Sequence, residues 1–371
     1  MDDLHFSWDQ TLSHNKTWNF VVSERENGKS VDSWVKLYNA FFYCESPSVV
    51  LRRRIADMTS AYIDDIASLL NKFLKEEHQI QLLYLKGDVG SGIADIRVAP
   101  AGEKVSYQAA KNYPIFFRII GLSTPMNRIK SMMLKNISYF FVDEFLANVR
   151  GGERYLTGDE FFLIKEIYTT YNREAKRPIR ILCAGNPYSV YCPLFSGLGV
   201  DSSKIKPGSF LVGPNYVINC YQTPEKLRQY ILAHNPMYEF DDSYRRYAFG
   251  GEAINDANIR IVKREPRAFK MRWVFKLGKD FLSIHMGTSD KSIKEPYRFW
   301  VCKHSSDWLE KVSKRRKIVA FSYADLIEGV IKWTPEQHRT FSTLKEAMAR
   351  RQVVYNVVDA SYMLEDIEVY L

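Results

Sequence analysis

The sequence has little of what marks a secreted, zinc-binding or membrane-spanning protein. Its five cysteines form no Cys-x-x-Cys pair, and its seven histidines show no metal-ligand spacing. The N-terminus, MDDLHFSWDQ, is acidic and polar where a secretion signal is basic and then apolar. The longest apolar runs, such as the one around Ile115 to Leu122, are too short to span a bilayer. We expect a soluble protein of a reducing cytoplasm, not secreted, without disulfides, a zinc site or membrane contact.

The composition is that of a folded protein. A chain of 371 residues with 46% hydrophobic content has room for two or three domains, each with its own core. The formal net charge of +9 suits a protein that meets a polyanion, although a modest basic excess also occurs in proteins that bind none.

Short apolar runs alternate with amphipathic helical stretches through the first two thirds of the chain, which predicts a mostly parallel sheet covered by helices. The predicted strands are Asn19 to Val22, Val49 to Leu51, Ile137 to Val142, Arg180 to Ala184 and Tyr216 to Cys220. The predicted helices are Ala61 to Phe73 and Glu160 to Tyr171, with Gln79 to Leu85 as an extra strand or hairpin arm.

The pattern changes after the last of these strands. Polar helical segments from Thr223 to about Asn258 predict a connecting subdomain. The stretch FKMRWVFKLGKDFLSIHM then predicts two strands joined at Gly278 and Lys279. The rest mixes short strands with helices such as Thr334 to Arg351, and no internal repeat is present.

The stretch WNFVVSERENGKSVDSWVKLY has the order of a phosphate-binding loop, namely an apolar strand, a turn and a helix start. Lys29 would reach the β- and γ-phosphates, the Ser30 hydroxyl would hold Mg²⁺, and Gly28 would let the backbone approach the phosphate. The usual first glycine of such a loop is replaced by Ser23. An ordinary helix start is the competing interpretation.

A second motif, ISYFFVDEF, supports the nucleotide site. A buried strand that ends in Asp143 and Glu144 places the first acid beside Mg²⁺ and leaves the second to orient or deprotonate the attacking water. A strand running into a polar loop explains one acid better than two. The two motifs in this order indicate a P-loop ATPase.

A third motif, IRILCAGN, ends in Asn186, where an amide would bind the attacking water or sense the γ-phosphate. Turn formation before Pro187 is the alternative explanation. A strand of this kind fits the ATPases with an additional catalytic glutamate that hydrolyse ATP for mechanical work. GTPase switches usually lack that glutamate, and the sequence has no guanine-reading NKxD.

The motifs NFVVSERENGKS, VVLRRR, FFVDEF and NREAKRPIRILCAGN occur in the same order as in the phi-29-like DNA-encapsidation ATPases of small tailed phages, which this sequence resembles. The resemblance implies an α/β fold with three parts. These are an ASCE-type, RecA/FtsK-like P-loop ATPase domain (1–222), a small helical linker (223–261) and a C-terminal α+β RNase H-like domain without nuclease activity (262–371). It also implies a ring, a pentamer in the family, that moves double-stranded DNA through a portal into a procapsid in the host cytoplasm.

The resemblance implies ATP and Mg²⁺ as cofactors. Lys29, Ser30, Asp143 and Glu144 would have the Walker roles given above, and Asn186 would be the sensor. Arg25 matches an arginine inside the family's loop, where we expect a phosphate contact. The nucleotide loop would be completed by Ser23, Asn27 and Gly28.

Other arginines are candidates for contacts beyond the subunit. A ring motor needs a cation donated from the neighbouring subunit, for which Arg173 is the first candidate and Arg177 the second. The triplet Arg52, Arg53 and Arg54 would act across the subunit interface or on DNA. The glycine-rich loop with Arg150 and Arg154 would grip DNA phosphates. Solvated surface charge is the competing interpretation of each.

The C-terminal third of the sequence distinguishes a packaging motor without a nuclease from the alternative functions. An active RNase H-like nuclease needs metal-binding acids in its first strand, but MRWVFKL has none, and Asp280 is predicted in the following turn. The run Lys311 to Lys317 would bind DNA or a structured packaging RNA, unless it is a solvated face. The alternatives are a terminase large subunit with an active nuclease and a non-hydrolysing, ATP-gated nucleic-acid adaptor.

Overall fold

The chain forms two compact units, Met1–Ile254 and Asn255–Leu371, each with its own sheet. The computed structural model describes residues 5–132, 134–148, 153–156, 160–173, 175, 177–189, 191–201, 204–234, 259–277, 280–288, 296–308, 318–320, 325–326, 328–332 and 341–368. The predicted division at residues 222 and 261 into three domains remains a prediction. Within the described residues, no helix combines the length and apolar character needed to cross a membrane.

The first unit has nine strands and nine helices in its described residues. The strands are β1 (Trp18–Val22), β2 (Ser48–Arg52), β3 (Ile80–Leu83), β4 (Ile93–Pro100), β5 (Ile115–Gly121), β6 (Tyr139–Asp143), β7 (Arg180–Gly185), β8 (Phe210–Val212) and β9 (Tyr216–Asn219). The helices are α1 (Asp9–Leu12), α2 (Lys29–Cys44), α3 (Ser60–Asn71), α4 (Lys86–Gly90), α5 (Tyr107–Ala110), α6 (Met126–Ser131), α7 (Glu160–Asn172), α8 (Pro193–Leu198) and α9 (Glu225–His234).

These strands form one sheet in the order β3-β4-β5-β2-β6-β7-β1-β9-β8. The six strands from β5 to β9 in this order are parallel, as predicted, whereas β3 and β4 at one edge and β8 at the other pair antiparallel. Strands β4, β5 and β8 were not predicted. β4 and β5 carry charge that is neutralised across the pair, because Arg118 lies opposite Asp95 and its Nε donates to Oδ1 at 2.6 Å.

The central strands are mostly apolar because both faces of the sheet are covered. Phe20 of β1 and Phe140 of β6 pack into one core, which α7 covers. Val21 and Phe141, the next residues along, pack into the core on the other face, beneath α2 and α3. Each fully buried side chain of this size contributes about 1.5–3 kcal/mol.

The second unit contains a mixed sheet. Its described strands are β10 (Lys270–Leu277), β11 (Asp280–Met286), β12 (Phe299–His304), β13 (Ile318–Ala320), β14 (Val330–Lys332) and β15 (Val353–Tyr355), with helices α10 (Ser342–Ala349) and α11 (Val358–Glu368). The order is β14-β13-β10-β11-β12-β15. β10, β11 and β12 form an antiparallel meander, and the other strands pair parallel to their neighbours.

The predicted pair of strands on either side of residues 278–279 is confirmed as β10 and β11, although those two residues lie outside the described part of the chain. The expectation that Asp280 lies in a turn was wrong. It is the first residue of β11 and pairs with Leu277 of β10. Residues 235–258 and 311–317, on which the linker and basic-run predictions partly or wholly fall, also lie outside the described residues.

Candidate nucleotide site

The loop between β1 and α2 ends in a glycine with a left-handed conformation. Gly28, just before the helix, has φ +90°, in the left-handed region that favours glycine. Ser23 is not among the described residues with positive φ, and its N–H donates to the Gly185 carbonyl at 3.1 Å. Serine therefore fits where the family has glycine, since this turn needs no left-handed residue there.

Lys29 is held inside this loop. Its Nζ donates to the Glu24 carbonyl at 2.8 Å, to the Ser23 carbonyl at 3.3 Å and to Oδ1 of Asn186 at 2.8 Å. Burial lowers the pKa of Lys29 to about 8, although the nearby Asp143 favours the charged form. The structure thus brings the predicted lysine and the predicted sensor amide into direct contact.

Two further contacts fix the loop. Arg25 Nη2 donates to the hydroxyl of Tyr188 at 2.9 Å, so the loop is joined again to the chain that follows β7. Asn27 is fully buried, and its carbonyl accepts from Phe6 N–H at 2.9 Å.

The segment before β1 packs against the start of α2. Trp8 is fully buried; its backbone N–H donates to Oδ2 of Asp32 at 2.7 Å, and its indole Nε1 donates to Oγ of Ser33 at 2.8 Å. The Ser33 hydroxyl in turn donates to the Lys29 carbonyl at 2.8 Å. The N-terminal segment therefore supports the first turn of the helix that carries Lys29 and Ser30.

The two acids lie at the carboxyl end of β6, beside the end of β2. β2 and β6 are parallel, with Leu51 opposite Val142, so the next residues, Arg52 and Asp143, are neighbours. Arg52 Nη1 lies 2.8 Å from Oδ2 of Asp143, and Nη2 lies 3.0 Å from Oε2 of Glu144. One guanidinium therefore binds both acids.

The acids differ in their surroundings. The Asp143 side chain is 10% exposed; burial raises its pKa, and the positive charge of Arg52 opposes that shift. Oδ2 of Asp143 also accepts from the Tyr62 hydroxyl at 2.9 Å. Glu144 is 52% exposed and has φ +55°, an uncommon conformation for a residue other than glycine, which turns the chain sharply after the strand.

Arg53 is also engaged within the chain. Its Nε lies 2.9 Å from Oε1 of Glu160, which is buried at the start of α7, and its Nη2 donates to the Phe145 carbonyl at 2.8 Å. Arg52 and Arg53 were predicted to act on DNA or across a subunit interface. Their largely buried side chains bind carboxylates of their own chain, because β2 ends next to β6. The predicted contacts with DNA or a neighbouring subunit remain predictions. The third member, Arg54, is exposed.

A cavity of about 250 Å³ opens beside the acids. Its lining includes Asp143, Glu144, the three arginines after β2 and Arg154. The exposed Arg154, at the end of the glycine-rich loop, accepts a hydrogen bond at its carbonyl from Arg54 Nη2 at 3.3 Å. Arg150 lies outside the described residues. Arg54 and Arg154 therefore line the same cavity as the two acids. Their predicted contacts with DNA remain predictions.

Arg173 and Arg177 lie away from this site. Both are exposed and precede β7, whereas the site is formed at the carboxyl ends of the parallel strands. Residues on that opposite edge of the sheet do not reach the acids of their own subunit. Their role as donors to a neighbouring subunit remains a prediction.

The residues present fit the predicted Mg²⁺ ion. Mg²⁺ takes oxygen ligands, usually from one or two carboxylates together with substrate phosphates and water. Ser30 is exposed on the first turn of α2, and both described contacts of Asp143 use Oδ2, so neither occupies Oδ1. No set of three or more His, Cys, Asp or Glu side chains in the described residues is arranged to hold a metal, so phosphate oxygens and water would complete the shell.

Several residues of the site were missed from the sequence. They are the buried or half-buried partners of the predicted residues: Glu24, Tyr62, Glu160 and Tyr188. Each belongs to a segment whose position depends on tertiary packing. Only Glu24 could have been identified from the sequence as a residue of the site, since it lies within the loop motif itself.

The sequence matches no protein-family model and no curated protein. Two solved structures resemble nearly the whole chain. The Phi-28 gp11 DNA packaging motor has 16% identity and a TM-score of 0.61, over 98% of this chain and 97% of that chain. The bacteriophage Phi-29 viral genome packaging motor assembly has 17% identity and a TM-score of 0.61, over 99% of this chain and 100% of that chain. The chain has the fold of a phage DNA-packaging motor protein. The resemblance expected from the motifs is therefore confirmed at the level of the fold.

The packaging-motor fold extends over both units, because the coverage includes almost every residue of each chain. At this level of identity the likeness establishes the fold alone.

Proposed function

We propose that the chain is an ATP-driven translocase that packages double-stranded DNA into a viral procapsid through the portal. The observation that carries the proposal is the meeting of the loop lysine, the sensor amide and two acids at one edge of the parallel sheet, within a packaging-motor fold. Lys29 contacts Asn186 directly, and the charge of Asp143 acts on the same ammonium.

The order of the strands supports an ASCE-type, RecA/FtsK-like ATPase. The loop strand β1 and the acidic strand β6 both pair with β7, which lies between them. β7 therefore delivers Asn186 to a position between the phosphate loop and the acids, where an amide can contact the γ-phosphate or the attacking water.

In this proposal each residue has a defined task. Lys29 exchanges loop carbonyls for phosphate oxygens, and the amides at the start of α2 face the phosphates. Ser30 and Asp143 would hold Mg²⁺, which would supply positive charge to the phosphate oxygens. Glu144 takes the proton of the attacking water, and Arg25 contacts a phosphate.

The ion pair with Arg52 gives Glu144 a resting state that differs from the state in which it would act as a base. While Nη2 of Arg52 lies 3.0 Å from Oε2 of Glu144, that carboxylate oxygen is engaged by the guanidinium and is not free to accept from the attacking water. Hydrolysis therefore requires this contact to loosen, and general-base catalysis of this kind is worth about 10²–10⁴-fold in rate.

The second unit supports a motor without a nuclease. β10 has no acidic residue, and the nearby Asp280 and Asp359 share one ammonium, with Lys303 Nζ at 3.3 Å and 2.8 Å from their respective Oδ2 atoms. A lysine between two carboxylates neutralises the charge that would otherwise attract a metal ion. The antiparallel meander extended by parallel strands supports the RNase H-like assignment of this unit.

The wider assembly follows from the same proposal. The chain would form a ring around DNA in the host cytoplasm, transiently attached to the procapsid, with a structured packaging RNA as a further partner. The formal charge of +9 suits contact with either nucleic acid.

The test compares ATP turnover of the wild type, Glu144→Gln and a control, Glu166→Gln, with and without double-stranded DNA. Glu166 pairs with Lys130 on the surface at 2.8 Å and lies on α7, away from the acids. We expect DNA-stimulated turnover in the wild type and the control. Glu144→Gln should bind ATP with little change and lose about 10²–10⁴-fold in turnover.

Other outcomes would favour the rivals. Equal turnover of Glu144→Gln and the wild type would remove the proposed base. ATP binding without turnover, even with portal and DNA present, would favour the adaptor. Cleavage of plasmid DNA with Mg²⁺ or Mn²⁺ would favour a terminase with an active nuclease.

A further inference from the structure

A buried carboxylate lies within the loop that would bind phosphate. The Glu24 side chain is fully buried in the loop. Its Oε2 accepts from the Thr223 backbone N–H at 2.7 Å, and its Oε1 lies 3.4 Å from Nη2 of Arg228. Burial raises the pKa of Glu24, and these two donors oppose the shift. A negative side chain does not help a loop to bind phosphate, so its contacts with Thr223 and Arg228 call for another role.

The main chain of the same residue faces the phosphate lysine. The Glu24 carbonyl accepts from Lys29 Nζ at 2.8 Å. One residue is therefore bonded to the lysine through its backbone and to the start of α9 through its side chain. The hydrogen bond to Lys29 and the hydrogen bond to Thr223 are therefore made by the same residue, one through its carbonyl and the other through its carboxylate.

Helix α9 packs against the core of the first unit close to both donors to Glu24. Thr223 lies two residues before the start of α9, and Arg228 is the fourth residue of this helix. Leu227 and Ile231 pack into the core that also contains residues of β1 and β6. In sequence, α9 is the last described element before the second unit begins at residue 255.

We propose that Glu24 is a positioning residue that couples occupancy of the phosphate site to the placement of α9. The inference rests on the proposed function. When Lys29 turns to a phosphate, the Glu24 carbonyl loses its donor, and the backbone at residue 24 adjusts. The contact with Arg228, at 3.4 Å, is near the limit of a hydrogen bond, so a small displacement of Glu24 makes or breaks it.

The arrangement offers a matched pair of variants. Arg228 also contacts Glu225 on the exposed side of α9, with Nη1 3.3 Å from Oε2. Arg228→Gln removes the ion pair between α9 and the loop and leaves the Thr223 N–H bond to Glu24 in place, whereas Glu225→Gln removes only the exterior pair. Glu24→Gln is a second test of the link, since its amide oxygen still accepts from Thr223 N–H but no longer forms an ion pair.

The experiment measures amide hydrogen exchange of residues 223–234 in the full-length chain, with and without a non-hydrolysable ATP analogue and Mg²⁺. The affinity for the analogue is measured separately in every variant. In the wild type and Glu225→Gln, saturation should change the exchange rate of the Thr223 amide and of the first turn of α9 by at least about fivefold. In Arg228→Gln, the analogue should still bind, and in both Arg228→Gln and Glu24→Gln this change should be lost.

The outcomes separate the inference from the function on which it rests. If the wild type binds the analogue but the exchange of residues 223–234 does not respond, the coupling is wrong and the nucleotide site stands. The coupling is also wrong if Arg228→Gln and Glu24→Gln respond as the wild type does. If the wild type fails to bind the analogue at all, the proposed function and the coupling are both overturned.

Discussion

At the scale of single residues, the most informative group is the ammonium of Lys29. Its pKa is about 8 in the structure, because it is buried among loop atoms. Bound phosphate stabilises the charged form and raises that pKa, so nucleotide binding takes up a proton wherever the free site is deprotonated. We predict that affinity for an ATP analogue is nearly constant below pH 8 and weakens above it, by up to about tenfold per pH unit.

Titration of the analogue at pH 7, 8 and 9 measures this effect. The control is Lys29→Arg, whose guanidinium stays charged over the whole range, so its affinity should vary much less with pH. The same loss of affinity at pH 9 in both proteins would assign the effect to another group.

The positions of residues that end a strand could be predicted from the sequence. Parallel strands bring their carboxyl ends to one edge, so Asn186 after β7 and Asp143 at the end of β6 could be expected near the loop that follows β1. The pairing of Arg52 with both acids could not be predicted. It requires that β2 lies next to β6, and the sequence does not state which strands are neighbours.

At the scale of elements, the strands of the continuous apolar segments were predicted closely. The predicted strand Arg180 to Ala184 is one residue shorter than β7, and Asn19 to Val22 is one residue shorter than β1. The antiparallel edge was missed because Asp95 and Arg118 look unlike core residues until β4 and β5 are paired. An ion pair between two strands cannot be predicted from the sequence of either strand alone.

The N-terminal segment gives a prediction at the same scale. Trp8 is fully buried, and its N–H and Nε1 both bind the first turns of α2. Trp8→Ala should lower the free energy of unfolding by about 3–5 kcal/mol. It should also weaken nucleotide binding, because Lys29 and Ser30 lie on the turn that Trp8 supports.

Thermal unfolding and titration of an ATP analogue together test this prediction. Phe73→Ala serves as the control, since that aromatic side chain is 50% exposed, and its loss should change stability by only about 0.5 kcal/mol. If Trp8→Ala is no less stable than Phe73→Ala, the segment does not support α2.

At the scale of the whole molecule, the position of Arg173 makes a prediction about assembly. It is exposed on the edge of the sheet opposite the acids, so any contribution to hydrolysis must come from another copy. An arginine finger is worth about 10³–10⁵ in rate, so Arg173→Ala alone should be nearly inactive. Mixed with Glu144→Gln it should regain activity, because an intact Glu144 can then meet an intact Arg173.

The measurement is DNA-stimulated turnover of an equimolar mixture against each variant alone. The same mixture with Arg177→Ala distinguishes the two candidate arginines. A mixture no more active than the average of its components would exclude Arg173 as a donor in trans.

The distribution of cysteine has a practical consequence for the study of such an assembly. Cys44, at the end of α2, is exposed, whereas Cys183, Cys192, Cys220 and Cys302 are buried, and burial raises the pKa of each of these four thiols. A maleimide dye should therefore react at one position per chain. That position is separated from Lys29 by the length of α2, about 24 Å. The natural sequence is thus already suited to single-molecule fluorescence, in which the number of bleaching steps from one labelled complex counts its subunits.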